Sequence, residues 1–333
     1  MNILINCPLK FNLKSDKLGK FGGIESLNIA LASKLANINF NVTLSSLCTK
    51  KTNLKSLINV PIKTIKLNKD KWKYDLVISS NDATIFKYFP DSKKILWLHN
   101  PLQIEKSIRK KQFVSLLKNK IKTVFVSSYL ESITSKLFFF NKRIVIPNFL
   151  LPEFTNQKIN YTRKKIFVWS VQRNRGLEET INIWIDKISP YYKDAELHIF
   201  GSNKFKLDFN NQLLKSKKIF FRGRVNKQAL KKVYKKSLAM ICLGYDETFC
   251  LNALEANSCG LPVITFGKTA LNDFVVNNHN GFIVKNYIDL SSLIIRMINI
   301  NKSNHIRLIK NTVSISHKYL LKKIINNWLK VIK

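Results

Sequence analysis

Two carboxylates separated by seven residues, Glu247 and Glu255, stand in the most informative stretch of this chain, GYDETFCLNALEANSCGLPVITF, which runs from Gly244 to Phe266. Upstream, residues 238–243 read LAMICL, an apolar run of strand length. Downstream, Asn252-Ala253-Leu254-Glu255-Ala256 favours a helix, Gly260 supplies its C-terminal stop, and Pro262 opens the apolar run PVITF. Glu247 is therefore expected in the loop at a strand's carboxyl end, and Glu255 on the first turns of the following helix. In open α/β sheets that crevice is where ligands bind. The free N–H groups of the helix start, around Thr248, Phe249, Cys250 and Leu251, favour a phosphate there. The chemistry on offer is a phosphorylated ligand held beside two carboxylates.

Four further stretches carry groups that could meet a ligand. Gly22-Gly23-Ile24-Glu25 joins a polar loop to a helix, and paired glycines let a backbone approach a ligand closely. Trp97-Leu98-His99-Asn100-Pro101 ends a strand, with His99 at its carboxyl edge. Ser170-Val171-Gln172-Arg173-Asn174-Arg175-Gly176-Leu177 follows a strand and opens a helix, presenting two arginines. Phe221-Arg222-Gly223-Arg224-Val225 ends another, after which Asn226 caps a helix over 227–237.

The elements that must position these groups alternate. Strands are expected at 2–7, 41–46, 75–79, 94–98, 123–127 and 143–146, with a helix over 24–36. After 147–162, which carries prolines and no clear period and reads as a linker, strands recur at 165–170, 196–200, 218–221, 239–243 and 262–266, with a helix over 177–188. This pattern argues for βαβ units and parallel sheets. A length of 333 residues suits two such domains. Residues 104–120 and 319–330 read as amphipathic basic helices, each able to lie on a membrane or to pack against the body.

The net charge is +37, with nine arginines among 57 basic residues. Nucleic-acid readers lean on arginine, and the chain has no helix-turn-helix, zinc or RNA-binding signature, so nucleic acid is not the expected partner. An AT-biased genome or attraction to anionic lipid headgroups accounts for the lysines. Five cysteines without a C-x-x-C indicate neither disulfides nor zinc, and suit a reducing cytosol. The opening MNILINCP is expected to be a first strand, and no apolar run reaches the roughly 20 residues of a membrane span.

The run E-T-F-x-x-x-x-L-E-A-x-x-x-G-x-P-V-I from Glu247 to Ile264 resembles the E-x7-E signature of glycosyltransferase family 4, retaining glycosyltransferases of the GT-B fold. Cys250 departs from it, standing where many members have glycine. Residues 269–275 and 279–284 resemble the family's G-x-x-E-x-V and G-x-L-V region, with Asn272-Asp273 displacing the usual acid. The resemblance implies an α/β GT-B architecture, two Rossmann-like domains facing a central cleft. Residues 1–150 would form the acceptor-side domain, 151–312 the nucleotide-sugar domain, and 313–333 a helix crossing back to the first. It implies Glu247 near the donor sugar, stabilising positive character at its ring, and Glu255 on the ribose hydroxyls. His99 would contact the donor sugar, Asn100 and Gln103 would add polar contacts, and Gly22 and Gly23 would lie near the donor phosphate and acceptor.

A nucleoside diphosphate leaving group accumulates negative charge, and the chain carries no D-x-D to hold a metal. Arg173 and Arg175, resembling the family's R-G-L variant, are therefore the expected diphosphate clamp. The reading is a hexosyltransferase-type enzyme that needs no metal or cofactor. It would move a sugar from a nucleotide-sugar to a saccharide or lipid-linked glycan in polysaccharide biosynthesis, by front-side attack with the leaving phosphate as base. The expected place is the cytoplasm, with peripheral contact to the anionic inner face of the membrane. The alternatives are a sugar-phosphate synthase-like enzyme with a small soluble acceptor, and a non-catalytic basic binding protein on the same fold.

Overall fold

A computed structural model describes residues 1–13, 21–54, 56–118, 120–138, 142–171, 176–201, 209–244, 246–267 and 269–333, with Lys118 as backbone only. Two compact units are formed, Met1–Leu151 with Leu321–Lys333, and Pro152–Leu320.

The first unit is built on β1 (Asn2–Asn6), β2 (Asn41–Ser46), β3 (Thr52–Leu54), β4 (Leu57–Pro61), β5 (Leu76–Ser80), β6 (Lys93–Leu98), β7 (Ile121–Phe125) and β8 (Lys142–Val145). Their order is β3-β4-β2-β1-β5-β6-β7-β8, parallel except for the β3–β4 hairpin. The central strands are buried throughout, Ile3, Leu4 and Ile5 beside Leu76, Val77 and Ile78, which is why they read as continuous apolar runs. The β3–β4 hairpin lies outside the strands expected from sequence, because Thr52, Asn53 and Asn59 break its apolar pattern. The order reverses between β1 and β5, and the crevice beyond their carboxyl ends is a natural ligand site.

The second unit carries β9 (Ile166–Trp169), β10 (Glu196–Phe200), β11 (Ile219–Gly223), β12 (Ala239–Ile241), β13 (Val263–Thr265) and β14 (Gly281–Ile283). They form a parallel sheet in the order β11-β10-β9-β12-β13-β14. Here the reversal falls between β9 and β12, the strands that lead into the arginine loop and the Glu247 loop. Arg163 ties the back of this unit together. Its guanidinium donates to the carbonyls of Tyr234 (2.7 Å), Cys259 (2.9 Å) and Gly260 (3.3 Å), a cation on the C-terminal ends of helices Lys227–Tyr234 and Leu251–Ser258.

Two expectations are corrected. The single helix over 104–120 is two short ones, Ile104–Arg109 and Phe113–Lys118. Lys111 turns left-handed between them (φ 55°), and buried Gln112 uses its side chain to accept from Ala83 N and to reach Asn81 O. The helix over 177–188 changes to a π turn at Trp184–Ile188, where Trp184 Nε1 donates to the Lys217 carbonyl. The division between the units falls at Leu151/Pro152, inside the expected linker over 147–162, whose Phe149, Leu150, Leu151 and Phe154 are buried.

The closing helix Leu321–Ile332 buries Ile324, Ile325, Trp328, Val331 and Ile332. Trp328 meets Trp97 of β6 edge-on, with centroids 4.9 Å apart. Lys122 donates to the helix's Val331 carbonyl, and Lys93 to the carbonyl of Lys333 just beyond it, each at 2.9 Å. Its apolar stripe therefore packs on the protein rather than facing a lipid surface.

Candidate functional site

In the second unit the carboxyl ends of β9 and β12 are joined by side chains. Asn252, on the first turn of helix Leu251–Ser258, donates through Nδ2 to the Ser170 carbonyl at 2.7 Å. Tyr234 OH donates to Ser170 Oγ at 3.1 Å. These bonds close the floor of the crevice at the strand reversal.

Glu247 lies in the loop after β12, partly exposed. Its carbonyl accepts from Ala270 N at 3.0 Å, which fastens this loop to the turn Ala270–Asp273. Phe249 is buried and packs on Phe274 and Tyr319. Thr248 is partly exposed beside it. Helix Leu251–Ser258 starts with no side-chain cap, so the N–H groups of its first turn can meet a ligand.

Cys250, the N-cap of this helix, is left-handed (φ 59°, ψ 72°). That conformation costs an L-residue roughly 1–2 kcal/mol and costs glycine nothing. Its Sγ lies 3.5 Å from Cys242 Sγ. The neighbouring thiol, and then burial, push the Cys250 thiol well above its usual range, so it packs as a neutral group rather than acting as a nucleophile. Cys250→Gly is expected to keep or raise the melting temperature, whereas Cys250→Val should lower it by several degrees, since a β-branched residue is poorly accommodated there. Equal melting temperatures for the two variants in a thermal melt would contradict the strain argument.

Glu255 sits where the helix register predicts, but in a closed environment. It is 0% exposed, and both carboxylate oxygens accept from Lys227 Nζ at 2.6 Å. Lys227 also donates to Asn252 Oδ1 at 3.4 Å. Burial raises the Glu255 pKa, and Lys227 opposes that rise. A ribose hydroxyl reaching Glu255 must use a remaining lone pair or displace the ammonium. Sequence reasoning missed Lys227, and a signal was available. It follows the N-cap Asn226, whose Oδ1 accepts from Ala229 N, and a cation at a helix N-terminus opposes the dipole, so its place calls for a nearby anion.

Arg173 and Arg175 lie outside the described residues. Gly176, next to them, is left-handed (φ 85°), and a Cβ there would come within 2.8 Å of Tyr287 Oη. The arginine loop therefore enters its helix through a position that only glycine fills without strain.

In the first unit, Gly22 caps and Gly23 opens helix Gly23–Ala36. A Cβ on Gly22 would lie 2.6 Å from Glu25 Oε2. The carboxylate of the third helical residue thus folds back over the helix start, as in a capping box, and covers the anion position that the glycine pair suggested. His99 is 5% exposed and packs against Trp97 with the rings tilted at 46° and centroids 4.5 Å apart, and burial holds its pKa down at about 3. It is a neutral imidazole at physiological pH. Asn81, left-handed at the end of β5 (φ 57°), accepts from the backbone N–H groups of His99 (2.8 Å) and Asn100 (3.2 Å). Sequence reading passed over Asn81. Among the described residues, no group of three or more His, Cys, Asp or Glu could hold a metal ion, and no helix is long and apolar enough to cross a membrane.

Residues 156–313 match the family model described as Glycosyl transferases group 1. No curated protein matches the sequence. A glycosyltransferase from Rickettsia africae ESF-5 is similar in structure, at 14% identity and TM-score 0.74, covering 100% of this chain and 98% of that one. A sucrose-phosphate synthase from Thermosynechococcus elongatus gives 14%, 0.74, 99% and 98% in the same order. HepE from Anabaena, solved with UDP and glucose, gives 13%, 0.68, 100% and 99%. At such identities these likenesses establish the fold, which is GT-B. With the family match they support an enzyme that transfers glycosyl groups.

Proposed function

We propose that the chain is a retaining, metal-independent glycosyltransferase that moves a sugar from a nucleotide-sugar to a saccharide or lipid-linked glycan. The carrying observation is the paired carboxylates at the β9/β12 reversal, Glu247 in the loop and Glu255 behind it on a helix whose N-terminus has no side-chain cap. In this reading the donor diphosphate meets the N–H groups of Thr248 to Leu251 together with Arg173 and Arg175, and Glu255 and Lys227 serve the ribose side. Glu247 faces the sugar, where it offsets positive charge as the glycosidic bond breaks. The UDP bound to HepE is what suggests the donor class. The chain needs no cofactor beyond this co-substrate. No second carboxylate is assigned to form a covalent intermediate, so front-side displacement suits the site better than a double displacement.

A cytoplasmic, peripheral placement fits the five free cysteines. It also fits the exposure of Ile108, Val114 and Leu117, each more than half exposed among Arg109, Lys110 and Lys111.

A thermal-shift series across UDP-, GDP- and ADP-sugars, followed by release of the free nucleotide, tests the reading. Stabilisation by one nucleotide series with turnover is expected, and no stabilisation by any of them would reject it. Excess EDTA is expected to leave the rate within about twofold of the untreated enzyme, because arginines supply the charge a metal would bring. Full loss on chelation, restored by magnesium or manganese, would reject the metal-free mechanism.

A further inference from the structure

Beside His99 the first unit holds a small cavity that shares only Asn100 with the expected donor contacts. Its volume is about 50 Å³, and it is lined by Asn81, Asn100, Lys106, Ser107, Lys110 and Gln112 together with Leu98, Pro101 and Leu102. It opens past the carboxyl ends of β5 and β6, the edge of an α/β sheet where ligands bind.

No carboxylate lines it. Lys106 and Lys110 lie four residues apart on one short helical segment, an arrangement that costs stability when nothing neutralises it. Neither ammonium has an ion pair or hydrogen bond among the described residues. The orientation of Asn81 is determined, because both its neighbours are backbone N–H donors and Oδ1 must accept from them. Its Nδ2 is therefore a donor with no protein partner among the described residues. Ser107 Oγ and Gln112 are already spent on protein bonds, to Ile104 O, Ala83 N and Asn81 O. What remains on Lys106, Lys110 and Asn81 is cationic and hydrogen-bond donating, with the Asn100 amide beside them.

Size narrows the ligand. Whole-ligand pockets run to roughly 300–1,000 Å³, and a cavity holds a single water from about 10–15 Å³ upward. A cavity of about 50 Å³ holds one small anionic group and leaves the rest of its molecule outside. The geometry points to a phosphate ester of the acceptor, with its phosphoryl oxygens on Lys106, Lys110 and Asn81 Nδ2. The acceptor role rests on the glycosyltransferase reading, whereas the phosphate site can be measured without it. Both a soluble sugar phosphate and a lipid phosphate share this chemistry.

The test uses the full chain, titrated with inorganic phosphate by phosphorus NMR line broadening, and compares Lys106→Gln/Lys110→Gln with Lys69→Gln/Lys71→Gln, an equal charge loss on an exposed turn. The pocket variant is expected to weaken phosphate binding about tenfold or more, and the control less than about twofold. UDP affinity should be unchanged in both. Competition by a hexose 6-phosphate supports a soluble acceptor. Competition only by vesicles containing phosphatidylglycerol, and not by neutral vesicles, supports a lipid-borne one. Equal loss in the two variants, or no phosphate binding to the wild type, overturns the site. Absent binding of UDP, GDP and ADP alike, with phosphate binding intact, would reject the donor reading and leave the site standing.

Discussion

Replacing Glu247 with glutamine is expected to lower turnover by about a hundredfold to a thousandfold while the nucleotide dissociation constant stays within about threefold. The substitution keeps the size of the side chain and removes its charge. In the proposed reaction that charge matters most when the donor sugar becomes cationic, so the loss falls on the transition state rather than on the bound donor. Glu247 is partly exposed and held by its own backbone through Ala270 N, so the loop should keep its shape. Glu255→Gln should behave in the opposite sense, weakening nucleotide binding with a smaller effect on kcat, since a charged acceptor contributes roughly 1.5–3 kcal/mol per hydrogen bond. Steady-state kinetics beside calorimetric titration separates the two. A Glu247→Gln enzyme with normal kcat would remove that residue from the chemistry.

The second large effect is expected at Lys227. Lys227→Met leaves a fully buried carboxylate with no counter-ion in place of a pair bonded at 2.6 Å through both oxygens. The folded pKa of Glu255 is already raised by burial, and loss of the ammonium raises it further. A carboxyl group raised in the folded state contributes stability that is fully present below its unfolded pKa and is lost as pH rises through the folded one. Relative to the wild type, the deficit should therefore grow with pH wherever the variant holds Glu255 protonated and the wild type holds it ionised, by up to about 1.4 kcal/mol per unit. Urea melts at pH 5 and pH 7 read this directly, and adding Glu255→Gln to Lys227→Met should restore most of the loss at pH 7. An equal deficit at both pH values would mean that Lys227 contributes only packing.

These effects show where sequence reading reached and where it stopped. The parallel α/β architecture was legible because buried parallel strands must be apolar on both faces, as in 3–5 and 76–78, and helices between them must carry a stripe. The carboxyl-edge position of Glu247 and the helical position of Glu255 followed from one strand, one loop and one helix adjacent in the chain. Local conformation was only partly legible. A sequence shows that Cys250 departs from glycine, but not that its backbone stays left-handed regardless. The 104–120 segment looked like one amphipathic helix because its period is intact. It breaks at Lys111 because Gln112 finds partners on the loop after β5, some thirty residues away in the chain.

The amino-acid sequence by itself determined the element alternation, the βαβ pairing, the absence of a nucleic-acid signature and the identity of the paired glutamates. All of these depend on local period and nearest-neighbour chemistry. Only the tertiary structure decided that Glu255 is sealed against Lys227, 28 residues earlier. The same holds for His99, buried and neutral against Trp97, and for Lys106 and Lys110, which share a cavity with Asn81. The physical reason is common to all three. Charge state and ligand access depend on burial and on which distant groups come within about 3 Å, and neither quantity is carried by residue type or spacing along the chain.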